Sequence, residues 1–298
     1  MNSFIDKYKN HLLLHFIVLI WGFTGILGKV ITLNSSVLVW YRMLIAFCGI
    51  GIYIAFSSIK FTFSFKKTLK YIVVGFVVAG HWVFFFEAVK VSNVSVTLAC
   101  LSSTTLFVSF IEPLFYKRKI IPYEVFLGAL VIIGLTLIFN FEPEYRLGII
   151  YALIAAFLAA TFGTLNGVLV KNDRPRIISF YEMLGGVLGI SVYLLITGGI
   201  HTVFEFPQGL DLLYLLILGL ICTAFAFVVS VEVLKYLSPY TVSISINMEP
   251  IYAIILALIF FGDDEKMGLG FYSGALIILS TIFANAWLKA RKRKLEKA

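Results

Sequence analysis

Apolar runs of about 20 residues return along the whole chain, most plainly at 11–32, 94–111, 210–231 and 269–288. As helices, runs of this length cross roughly 30 Å of hydrocarbon. A bilayer core offers no partner to a backbone N–H or C=O, so a chain built this way has few architectures open to it. Composition agrees. Of 298 residues, 60% are hydrophobic and 13% charged, and the mean hydropathy is +0.99, which leaves too little polar surface to cover a soluble domain of this size. The expected class is an all-α polytopic membrane protein. Its first apolar segment, His11 to Leu33, is too long for the apolar core of a cleaved signal, and no A-x-A site follows it.

Reading apolar runs between polar punctuation gives ten transmembrane helices, near 11–32, 35–56, 69–89, 94–115, 122–139, 147–170, 177–197, 210–234, 239–261 and 269–290. Short connections make neighbours antiparallel. The 24 basic residues then sort by loop. Nineteen lie on the side of the two termini, including the tail KARKRKLEKA; the other side has Lys29, Lys90, Arg146 and Lys266, and Arg42 falls within a span. This asymmetry predicts cytoplasmic N- and C-termini. It also explains the net charge of +8 as a topological signal, with no nucleic-acid partner needed.

Three phrases occur twice in the same order. YRML at 41–44 returns as YEML at 181–184, EAVK at 87–90 as EVLK at 232–235, and GALVII at 128–133 as GALIIL at 274–279. The expected organisation is two repeats of five spans, 1–141 and 142–298. Five is odd, so the second copy enters the membrane from the opposite side. Inverted repeats are a hallmark of secondary transporters, whose substrate sites lie near the midplane where the repeats meet.

At this point the chain resembles the EamA-type members of the drug/metabolite transporter (DMT) superfamily. The matching stretches are WGFTGILGK, YRMLIAF and EAVKVSNVSVTLACLSS in the first half. In the second half they are LKYLSPYTVSISINMEPIYAIILALIFFGD and GFYSGALIILSTI. The resemblance covers nearly the whole chain. It implies ten helices, a central cavity, and alternating access for small metabolites, often exported amino acids. It also implies a multi-pass protein of the bacterial cytoplasmic (inner) membrane, acting as a monomer or homodimer. Two departures stand out. FGDDE, Phe261 to Glu265, replaces the family's FGE, and Thr104 stands where a counterpart of Pro250 would fall in the first half.

The costly groups within the spans are the candidate site. Arg42 lies about 10 Å inside the outer boundary at 1.5 Å per residue, and an isolated central Arg costs roughly 2.5–3.5 kcal/mol. It is expected to pair with Glu87 and to meet a substrate carboxylate with its planar fork. The mirror positions are Glu182 and Glu232 near the inner boundary. These three acids read as gating groups or as static ion pairs. Glu249 falls mid-membrane beside Pro250 and Asn247, where it suits proton coupling or contact with an amine; protons are therefore a candidate partner beside the small-molecule substrate. His81, Ser102, Thr24, Thr164 and Trp21 complete the candidate substrate contacts, each with packing or interhelical hydrogen bonding as the alternative.

Other classes fit less well. Four scattered histidines and no Asp deep within a span, Asp211 standing at the edge of the eighth, do not make a membrane enzyme's cluster. Cys48, Cys100 and Cys222 stand apart, no metal-ligand spacing occurs, and no G-x-x-x-x-G-K-[ST] is present. No cofactor is expected. Energy for transport must come from a gradient or from exchange. Within transport, other polar metabolites or amphipathic drugs are the alternative cargo.

Overall fold

The computed structural model describes residues 2–57, 64–117, 119, 121–246 and 248–295. The basic residues Lys60, Arg118 and Lys297, counted above, lie outside them. Helices follow one another without a strand among the described residues: α1 (Asn2–Val30), α2 (Ser35–Ala55), α3 (Phe65–Val91), α4 (Val94–Leu101), α5 (Thr104–Tyr116), α6 (Pro122–Phe141), α7 (Arg146–Leu169), α8 (Pro175–Ile196), α9 (Gly209–Leu216), α10 (Ala226–Val233), α11 (Pro239–Ile246), α12 (Glu249–Phe261) and α13 (Leu269–Leu295). A nine-residue π-helical segment, Ile217–Phe225, joins α9 to α10 in one rod. Counting α4 with α5, α9 with α10, and α11 with α12 gives the ten expected spans. Seven of these segments are long and apolar enough to cross a membrane, and Phe126–Phe141 and Leu269–Asn285 are shorter apolar helices. Large apolar side chains such as Leu114, Ile196 and Ile259 are exposed on the outer faces, as hydrocarbon contact requires.

The sequence marks most helix ends. Asn93 caps α4 by accepting from the Val96 N–H at 2.8 Å. Pro122 and Pro175 open α6 and α8, where no backbone donor is needed. Gly262, with φ of 55°, ends α12.

Two expected spans are not continuous. The fourth breaks at Ser102–Ser103 and the ninth at Met248, just before Glu249. Pro250 therefore sits in the first turn of α12 rather than inside a helix, and its missing N–H leaves no gap there. In the first half hydroxyls do the work of a proline. Ser102 and Thr104 donate to the Leu98 and Leu101 carbonyls at 3.2 and 2.7 Å, competing with the backbone ladder. Both breaks fall in the fourth of five rods.

Close crossings hold the bundle. A Cβ at Gly75 would strike the Glu182 backbone carbonyl and one at Gly185 the Ile72 carbonyl, so α3 and α8 meet backbone to backbone. Gly134 and Gly274 do the same for α6 and α13.

Candidate functional site

A cavity of about 1100 Å³, counting the space where it opens to solvent, lies within the bundle. Six of the candidate residues line it: Trp21, Thr24, Arg42, His81, Ser102 and Glu249. They come from α1, α2, α3, the break between α4 and α5, and the start of α12, all near mid-depth. From there the lining continues through Val108, Asn166, Leu234 and Pro239, toward the end of the bundle that carries both termini. The rest of the wall is apolar and aromatic, with Trp82, Phe85, Phe162 and Phe227 prominent.

Arg42 is buried and held by two contacts. It is 2% exposed, its Nε donates to Thr223 Oγ1 at 2.6 Å, and its guanidinium lies 3.9 Å from the centre of the Trp82 ring. Its Nη1 has no hydrogen-bond partner among the described residues. The expected pairing with Glu87 is not what forms. Glu87 lies half-buried one turn from the end of α3 and does not line the cavity, whereas Arg42 turns inward. The carboxylate that shares the cavity with Arg42 is Glu249, and no ion pair joins the two among the described residues.

Thr223 belongs to the π segment. Its hydroxyl accepts from Arg42 and donates to the Leu218 carbonyl five residues back, at 2.6 Å, the spacing that a π turn supplies. One residue earlier, the Cys222 carbonyl accepts from Trp21 Nε1 at 3.0 Å. His81 donates from Nδ1 to the Ala155 carbonyl at 2.9 Å; a carbonyl can only accept, so that nitrogen carries the ring proton.

The remaining described candidates lie off the cavity. Thr164 is fully buried beside its wall, with no partner for its hydroxyl among the described residues. Glu182 is also fully buried. Its Oε2 accepts from Asn166 Nδ2 at 3.4 Å, so one side chain separates it from the cavity. Glu232 is half-buried near the end of α10. Asn247 lies outside the described residues. Sequence reading missed Thr223 and Asn166. Asn166 is a lone amide in an apolar run and was legible as such; Thr223 offered nothing beyond one hydroxyl in ICTAF.

The end of the bundle away from the termini is tied shut. Glu265 is fully buried and takes four hydrogen bonds: from Lys29 Nζ at 2.9 Å, from the Val94 and Ser95 N–H groups at 3.1 and 2.9 Å, and from Ser95 Oγ at 2.8 Å. It thus caps α4 and pins it to α1. Thr32 bonds to Asp211 through both its N–H and its hydroxyl, Lys90 donates to the Leu33 carbonyl, and Tyr41 donates to the Val203 carbonyl at 2.6 Å.

Comparison with known proteins fits this arrangement. The family model described as "EamA-like transporter family" matches twice, over residues 9–140 and 146–287. A protein of Bacillus subtilis (strain 168), named "Uncharacterized transporter YxxF", is 26% identical over 271 residues, covering 87% of this chain and 85% of its own length. A solved structure, titled only "Crystal structure of protein", shares the fold with a TM-score of 0.66 at 13% identity, over 92% of this chain and 95% of that one.

Proposed function

Because this chain belongs to the EamA-like transporter family, within the DMT superfamily, and is a multi-pass membrane protein, we propose that it is a secondary transporter exporting amino acids or closely related zwitterionic metabolites by alternating access. The observation that carries the reading is the sharing of one cavity by Arg42 and Glu249. A fixed guanidinium suits a carboxylate, a buried carboxylate suits an amine, and aromatic walls suit the rest of the molecule. Purely anionic or purely cationic cargo leaves one of the two unmet in a low-dielectric site.

The two ends support export. The charge asymmetry puts the termini in the cytoplasm, the cavity runs toward that face, and the Glu265 cluster closes the other. In this state a cytoplasmic substrate loads. The second state requires the cluster to part. Two family matches of similar length, with a broken fourth rod in each, support a duplication with boundaries near 141 and 142. The odd number of spans per copy makes it inverted. The proposed membrane is the bacterial inner membrane.

Two measurements test this. In proteoliposome counterflow, with and without a pH gradient, amino acids are expected to exchange at least tenfold faster than nucleosides, sugars or simple organic cations. Exchange of the cations alone, with amino acids inert, overturns the zwitterion reading in favour of amphipathic drugs. Reporter fusions after Pro143 and Gly199 should read as external, and those after Arg118 and Arg174 as cytoplasmic. A reversed reading at any one of the four removes the inverted repeat and the export argument with it.

A further inference from the structure

A second, smaller cavity lies between α5, α6 and α13, with Thr105, Ser109, Gly128, Thr281 and Asn285 on its walls and room for a single water-sized occupant. Two hydroxyls of its polar wall meet it as acceptors. Ser109 Oγ–H donates to the Leu106 carbonyl at 2.7 Å, and Thr281 Oγ1–H to the Ile278 carbonyl at 2.7 Å. Each hydroxyl has thus spent its proton on its own helix and retains only lone pairs. Asn285 is 4% exposed, and its Oδ1 finds no donor among the described residues. Pro113 lies inside α5 and has no N–H for the carbonyl four residues earlier, which belongs to Ser109.

We propose that this cavity is a site for a small monovalent cation, Na⁺, held by the Ser109 carbonyl and hydroxyl, the Thr281 hydroxyl and the Asn285 amide oxygen. A water has two protons to give and would leave acceptors unmet, whereas a cation engages every oxygen that reaches it. A divalent ion would call for carboxylates in the wall itself. Unwound or proline-broken carbonyls beside hydroxyls are the oxygen donors that membrane transporters offer to Na⁺. The neighbouring face of α5, with Thr104 and Val108, lines the central cavity, so an ion bound behind that helix stiffens one wall of the substrate site. Coupling to flux rests on the transport reading above; binding does not.

The test uses the purified full chain in detergent. Its unfolding midpoint is followed as NaCl replaces choline chloride or KCl at constant ionic strength, with ²²Na⁺ binding measured alongside. A saturable rise of several degrees in Na⁺ alone, with one ion bound per chain, is expected. Thr281→Val and Ser109→Ala each remove one oxygen with little change of shape and should weaken Na⁺ at least tenfold. Asn285→Asp should tighten it. Identical midpoints in Na⁺ and choline, with no ²²Na⁺ bound, mean a water-filled cavity and overturn the proposal, as does Na⁺ binding undiminished in both Thr281→Val and Ser109→Ala. Na⁺ bound here with no amino-acid exchange in liposomes leaves the ion site standing and removes the transport reading instead.

Discussion

Glu265→Ala is expected to destabilise the end of the bundle opposite the termini by about 3 kcal/mol, the low end of the range for breaking a buried ion pair, because Lys29 retains 26% side-chain exposure. The loss is more than one contact. Two N–H groups at the start of α4 lose their acceptor together with the Ser95 hydroxyl. The unfolding midpoint should fall by several degrees, and access should change with it. In a chain whose three cysteines have been replaced, a cysteine at Thr24 should resist a membrane-impermeant maleimide added from the side opposite the termini. The same cysteine should react once Glu265→Ala is added. Glu265→Gln keeps an oxygen for one N–H and should lie between the two. An unchanged midpoint and unchanged labelling in Glu265→Ala would reduce the cluster to an incidental contact.

Arg42→Ala should reduce zwitterion uptake by about 30- to 150-fold, since a charge-assisted hydrogen bond in a dry site is worth roughly 2–3 kcal/mol and its loss leaves a carboxylate unmet. Arg42→Lys is the more telling variant. A lysine keeps the charge but has no Nε to bond to Thr223 while its head stacks on Trp82. Uptake of amino acids should fall severalfold more than uptake of their amides. Thr223→Val should reproduce part of the defect with Arg42 intact. Glu87→Ala should add independently to either change, because the two residues do not share an interaction. Equal losses for acids and amides in Arg42→Lys would make the guanidinium a packing feature only.

The spans were legible because apolar runs of membrane length allow one reading, and their ends because Asn93, Pro122 and Pro175 announce themselves. Ten rods, and six of the cavity's residues, follow from the sequence on that footing. What the sequence concealed was direction. Arg42 sits one helix away from Glu87 in the expected register, but which way its long side chain turns depends on Thr223, 181 residues further on. The helix breaks were half legible. Pro250 pointed to the ninth rod, while the fourth breaks on serines and threonines that serve equally well as interhelical contacts. Thr164 was placed on the right helix and the wrong side of it, a difference of two positions from Asn166.

The π segment carries a consequence for how the eighth rod is read. A π turn is an α-helix that has taken in one residue too many, and everything beyond the insertion is rotated by roughly a hundred degrees about the axis. Phe227, Ser230, Val231 and Leu234 line the cavity in that shifted phase. Deleting a single residue between Ile217 and Phe225 would restore a regular ladder and yield a tidier, more ordinary helix. It would also swing the whole lower half of the rod out of step, turning a different set of side chains to the cavity and drawing Thr223 away from Arg42. Regularity and register are in conflict along this rod, and the sequence has kept the register.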